Sequence, residues 1–362
     1  MGFDPGRQAL ARELRLLKTV LSLARYGLLF PTAFLLGAVS DEILGTFTSA
    51  IRPRWLGILV YGYAIATVVH WPLLLAVYVY SRKLRSLGLM ANESFPKALG
   101  WYLGHMLLII PALAATFGIS FEPWRRTAWP PAFYVLFDMW AGVPLHVFKG
   151  RRAEGELRER AVEIAGRLGI KAKHVKLKVA EGEDPGAGFF VSGFGCLAFL
   201  TTGLLEVLSP RERDAVVAHE LAHQKLALPM LIFTIGPRFF LPTITVGFLL
   251  KRLAPLYGIG RFDIAALPLF LALAEFGLFL SHRVENPFRR WLERRADAIA
   301  LRATGDPVAF ARAMVALYDH NLVDAAPGRL WQFLFGDHPR GVDRVRRALK
   351  MSSGTEGSGN GP

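Results

Sequence analysis

Three residues near the middle of the chain have the types and the spacing to do chemistry. His219, Glu220 and His223 stand in the order HExxH. Side chains four apart on a helix share a face, so the two imidazoles can grip one metal ion while Glu220 points at a water bound to it. That arrangement serves metal-assisted hydrolysis, with Glu220 as the general base. A helix is expected here on independent grounds. Ser209 is placed to N-cap it, Pro210 falls at its first position, Glu212 completes an S-x-x-E capping box and Asp214 adds negative charge to the first turn. The competing reading is a coincidence of two surface histidines and a glutamate, and the rest of the chain has to decide.

A catalytic zinc ion needs three protein ligands and an open position for water. The strongest candidate for the third is Glu293 in RRWLERRADAIAL, with Asp297 one turn later on the same face, placed to orient a ligand imidazole from behind. By themselves Glu293 and Asp297 read as part of a solvated, arginine-laced helix face with ion pairs four residues apart. Joined to HExxH, and separated from it by two apolar stretches, they read as part of the site.

The chain that must position these groups has 362 residues, 52% of them hydrophobic, a mean hydropathy of +0.33, 43 Lys and Arg against 29 Asp and Glu, and a net charge of +14. Its apolar residues come in blocks of membrane-spanning length, and its basic residues flank those blocks. The positive charge is therefore expected to face a lipid bilayer, with no nucleic-acid partner. The single cysteine, Cys196, leaves no disulfide framework and no cysteine ligand set. It reads as a small buried hydrophobe.

Taken in order, residues 6–18 read as a basic amphipathic helix without a cleavable signal, followed by a first span over 26–40 whose helix begins near Lys18. Residues 55–80 are the clearest span, and 98–119 and 128–148 read as two more. Helical spacing of Leu157, Ala161, Ile164 and Leu168, the alternating strand VKLKV at 175–179, and two short strands over 189–201 broken near Gly193 and Gly195 then lead into the metal helix. Two further apolar stretches follow at about 227–250 and 263–281, kinked by Pro229, Pro237, Pro242 and Pro268. Asp306-Pro307 marks another helix start.

The fold class expected is thus mainly α: a polytopic membrane helix bundle of about six spans with a zincin-like catalytic domain containing a small β-sheet. The divisions are an N-terminal membrane domain (1–148), a segment bearing the HExxH helix (149–226), two further spans (227–281), a C-terminal catalytic segment (282–350) and a disordered tail (351–362). Six spans place the metal helix on the side richest in Lys and Arg, the cytoplasmic face of a cell or inner membrane, or of the endoplasmic reticulum membrane in a eukaryote. Asp138, Arg238 and Glu275 fall inside spans and call for interior partners, with Arg238 and Glu275 a candidate pair. His70, His105, His146, His282 and His320 lack ligand spacing and read as structural.

HELAH at 219–223, two apolar segments, Glu293-x-x-x-Asp297 with Ala296 and the preceding Arg290, and His338-Pro339 followed by Arg344 together resemble the membrane-embedded M48 metallopeptidases. That family includes the Ste24-type CAAX prenyl proteases and the HtpX-type quality-control proteases. The resemblance covers about residues 150–350, and four spans before the catalytic segment are more Ste24-like than HtpX-like. It implies one zinc ion held by His219, His223 and Glu293, with Glu220 as base and Asp297 behind a ligand. His338 and Arg344 would stabilise the oxyanion and position other groups. Phe190, Val191, Ser192 and Gly193 would belong to the edge strand that holds the substrate backbone. Where the family usually has Asn-Ala at the start of that stretch, Gly188-Phe189 stands here. The partner implied is a peptide or protein, prenylated or membrane-associated.

Two other functions compete. One is intramembrane proteolysis of the site-2 type, which the charged, capped start SPRERD and the lack of an LDG-type motif disfavour. The other is a transporter or scaffold that binds zinc incidentally, which leaves the ordered motifs unexplained.

Overall fold

The computed structural model describes residues 2–87, 95–96, 99–100, 102–104, 106–107, 110, 150–182, 186–192, 195–260 and 263–356. The spans expected at 98–119 and 128–148 lie largely or wholly outside the described residues, as do Asp138, His105, His146 and Gly193. Within the described chain, contacts divide it into two compact units: residues 1–16, 144–236 and 283–362 form one, and 17–143 with 237–282 form the other.

The second unit is built from long apolar helices. Helix α1 runs over Pro5–Ala50 without a break, so the basic segment at 6–18 and the first expected span are one helix that begins well before Lys18. Helix α2 covers Arg54–Ser86. Four helical stretches among the described residues are long and apolar enough to cross a membrane: Pro5–Ala50, Arg54–Ser86, Ala227–Tyr257 and Ile264–Thr304. The core of this unit gathers Leu29, Tyr61, Ile65, Val69, Phe270 and Leu271, all at most 2% exposed. Gly277 lets two of its helices touch, because a Cβ there would lie 2.3 Å from the Cα of Pro242. The charges expected inside spans find other partners than the pair proposed from sequence. Glu275 is bonded to Arg25, with His70 Nε2 4.0 Å away, and Arg238 Nη2 lies 3.2 Å from His282 Nε2.

The first unit carries the sheet and the HExxH helix. Its four strands are β1 (Arg151–Arg152), β2 (Leu177–Ala180), β3 (Ala187–Ser192) and β4 (Gly195–Thr201), in the spatial order β1-β2-β4-β3. Strand β2 is parallel to β4, whereas β3 is antiparallel to β4 with Phe190 opposite Leu197 and Ser192 opposite Gly195. Among the described residues β3 is therefore an edge strand. At Gly188 a Cβ would meet Cε1 of Phe199 at 2.6 Å, so the ring of Phe199 fills the space that a larger residue's side chain would need.

Helix α3 (Gly155–Arg167) buries Ala161, Ile164 and Ala165 on one face, as the spacing predicts. After a short helix α4 (Thr202–Val207), the metal helix α5 spans Pro210–Lys225. Its capping box is formed, with the Ser209 amide donating to Glu212 Oε2 at 2.9 Å. Asp214 does more than charge the first turn, since Arg160 of α3 donates to its Oδ2 at 2.5 and 3.1 Å. At the other end Lys225 Nζ donates to the Leu168 carbonyl just past α3 at 2.8 Å. Charged bonds thus pin α5 to α3 at both ends, and the small residues Ala215 and Ala218 share a buried cluster with Ala161, Ile164 and Ala165 of α3 between them.

The remaining helices are α6 (Ala227–Met230), a π-helical turn over Leu231–Ile235, α7 (Gly236–Leu253), α8 (Leu267–Thr304), α9 (Pro307–His320), α10 (Arg329–Phe335) and α11 (Gly341–Glu356). The π turn sits where Pro237 withholds an N–H from the turn before it. Asp306 caps α9 as expected, accepting from the Ala309 amide at 2.9 Å. Helix α11 carries on to Glu356, so helix replaces the first part of the tail expected from residue 351; residues 357–362 lie outside the described residues. Core packing in this unit runs through Ile164, Leu200, Leu204, Val217, Leu221, Phe310 and Met314.

Candidate active site

Helix α5 presents His219 and His223 from successive turns, with the two rings edge to face at 4.8 Å between centroids. Their Nε2 atoms approach to 3.2 Å. Glu293 enters from α8, where its Oε2 lies 3.2 Å from His219 Nε2 and its Oε1 3.4 Å from His223 Nε2. These three side chains are the group of potential metal ligands among the described residues. Four ligands placed tetrahedrally at zinc bond lengths are about 3.3–3.4 Å apart, a spacing approached by the two Nε2 atoms and by each of them with one oxygen of Glu293. Glu293 Oε2 is buried and receives no hydrogen bond of proper geometry, as befits an atom reserved for a cation.

The electrostatics agree. Burial works against a charged His219, yet its contacts with Asp297 and Glu293 overcome this and carry its pKa up to about 10. The carboxylates of Glu293 and Asp297 on either side of His219 favour a positive charge there, which a bound metal ion would supply. Glu220, 6% exposed, is held above the usual carboxylate range by burial, opposed by the neighbouring His219 and His223.

Behind the ligands, His219 Nδ1 lies 3.0 Å from Asp297 Oδ1. Asp297 is gripped by Arg344 of α11 through two bonds, Nε to Oδ2 at 2.9 Å and Nη2 to Oδ1 at 2.5 Å. Burial opposes the charge on Arg344, but the Asp297 carboxylate raises its pKa further still. On the open side His338 Nε2 stands 3.7 Å from Glu293 Oε1 while its Nδ1 contacts Asp337 Oδ1 at 2.9 Å. Partial desolvation lowers the pKa of the half-exposed His338 imidazole, but those two carboxylates outweigh it and raise the pKa. Partial desolvation works against the charge on the half-exposed Asp337, yet His338 and Arg289 pull its pKa down to about 2.

The structure therefore brings together His219, Glu220, His223, Glu293, Asp297, His338 and Arg344. Of the residues expected to hold substrate, Phe190, Val191 and Ser192 lie on the edge strand β3, and Gly193 lies outside the described residues. Sequence reading overlooked Asp337 and Gln332. Asp337 carried a signal, since it directly precedes His338, whereas Gln332 is identified only by its bond to the His338 carbonyl at 2.6 Å.

Two histidines on one helix, a carboxylate from another and several long apolar helices are the features that the class of membrane metalloproteases combines. Residues 151–352, more than half of the chain, match the model of Peptidase family M48, and the chain belongs to that family, whose members are zinc-dependent. Over 229 residues it is 30% identical to the protease HtpX of Chromohalobacter salexigens, a match covering 56% of this chain and 74% of that one. It is 27% identical over 213 residues to the uncharacterized metalloprotease YhfN of Bacillus subtilis, 56% of this chain and 49% of that protein, about half of the relative's length. The crystal structure of Ste24p from S. mikatae shares its fold, with a TM-score of 0.67 at 17% identity over 96% of this chain and 89% of that one.

Proposed function

We propose that the protein is a zinc endopeptidase that cuts membrane-associated polypeptides at the cytoplasmic face. The observation that carries this reading is the convergence of His219, His223 and Glu293 at tetrahedral-edge spacing beside a buried Glu220. Zinc bound by these three residues supplies Lewis acidity, acidifying a water and polarising the scissile carbonyl.

The chain's own groups do the rest. Glu220 takes the proton of the attacking water and passes it to the departing amine. His338, its Nδ1 against Asp337, directs Nε2–H towards the oxygen on which negative charge develops. Asp297 fixes the ring of His219 from behind, and Arg344 fixes Asp297. Strand β3, with Phe190, Val191 and Ser192, has an edge unpaired among the described residues that would take an extended substrate backbone, and Gly193, outside the described residues, follows it directly in sequence.

Helix α8 supports placing the chemistry outside the hydrocarbon. Its apolar run ends near Ser281, and Glu293 stands roughly 18 Å farther along the helix. The excess of basic residues in the surrounding segments favours the cytoplasmic side. The resemblance described above implies two substrate classes, prenylated CAAX proteins and misfolded membrane proteins. Purified protein incubated with a farnesylated CAAX peptide and, separately, with an unprenylated unfolded protein separates them. Cleavage of either, abolished by a zinc chelator and restored by zinc, is the expected result; a rate insensitive to chelation overturns the proposal.

A further inference from the structure

His338 is 47% exposed, so packing does not hold it in place. Polar bonds do. Arg290 stands one turn before Glu293 on α8, and its Nη1 donates to the Gln332 carbonyl at 3.0 Å and also to the Gly336 carbonyl. Gln332 lies in the last turn of α10 and Gly336 caps its C-terminal end, where the Gly336 carbonyl has no intrahelical donor. Gln332 reaches across the turn that follows, donating from Nε2 to the His338 carbonyl at 2.6 Å. The Gly336 amide closes back on the Gln332 carbonyl at 3.2 Å. The Gln332 carboxamide lies directly over Gly336, where a Cβ would be 2.5 Å from its Nε2.

We infer that Arg290 and Gln332 are positioning residues for His338: a guanidinium and a carboxamide latch the turn 336–338 to the helix that carries Glu293. The inference rests on the role given to His338 above. It assigns to Arg290 a task that its neighbourhood to Glu293 alone does not reveal. The arginine sets the distance between a zinc ligand and the donor opposite by holding the backbone of one against the helix of the other. Displacing a reacting group by about 1 Å costs up to roughly a hundredfold in rate, so the latch should appear in turnover and leave metal binding alone.

The test uses the full chain in lipid nanodiscs, an unstructured fluorogenic peptide, and zinc content measured on the same samples. R290A and Q332A should each lower kcat about ten- to a hundredfold with KM and zinc stoichiometry unchanged. R290K should recover most of the rate, because both bonds leave from one nitrogen and an ammonium can make them. Q332E keeps the shape and lacks the donor, so it should behave like Q332A. Adding Q332A to H338A should cost nothing further, since both act through one imidazole. If H338A turns over at the wild-type rate, the role of His338 fails and the latch with it. If H338A is slow while R290A and Q332A are not, the latch alone fails. Loss of zinc in R290A, or additive losses in the double variant, also overturns it.

Discussion

Arg344 and Asp297 form a two-toothed ion pair in which both side chains are nearly inaccessible, 7% and 2% exposed. Because Asp297 also lies against His219, the pair is the rear wall of the metal centre. Asp297→Asn keeps the shape and removes the charge, and zinc affinity should fall about ten- to a hundredfold, read by competition with a chromogenic chelator. Arg344→Ala leaves the carboxylate buried without its cation, which costs about 3–5 kcal/mol of stability and shows as a lowered melting temperature. Wild-type metal affinity in the Asn variant would detach Asp297 from the centre.

Glu220→Gln should retain zinc at wild-type stoichiometry and lose at least about a hundredfold in turnover, because the amide cannot accept the proton. Zinc analysis beside peptide cleavage checks both halves. A variant that cleaves near the wild-type rate moves the base elsewhere.

Glu293→Ala removes the one donor contributed by α8. Two imidazoles remain, and stoichiometric zinc should be lost at micromolar protein together with activity. Retention of one tightly held ion per chain would require another third ligand.

Stability predictions test the scaffold apart from the chemistry. Asp306→Ala deletes the cap on α9 and should cost about 1 kcal/mol, seen as a small drop in melting temperature with kcat unchanged.

The metal helix was legible because its information is local. Ser209, Pro210, Glu212 and the two histidines lie within a few turns of one another, and one physical rule, the helical repeat, relates them. Glu293 became legible through its spacing to Asp297 and its place after two apolar stretches. Partners chosen by packing did not. Glu275 could have met any cation in a neighbouring span, and the fold gives it Arg25, which the sequence places 250 positions away. Gln332 belongs to the same class, since its value lies in one backbone carbonyl and no motif marks it. The break between the amphipathic start and the first span was misplaced for a related reason: a charge change looks like a boundary in sequence, yet nothing in residues 5–50 stops a helix, Pro31 included.

Residues 219 and 293 meet at the centre although a long apolar stretch separates them along the chain, and His338 comes later still. In the proposed reading, a polypeptide still emerging from the ribosome holds two imidazoles and no finished blade. The order of these residues along the chain would leave the site incomplete until Glu293 has been made and packed against α5.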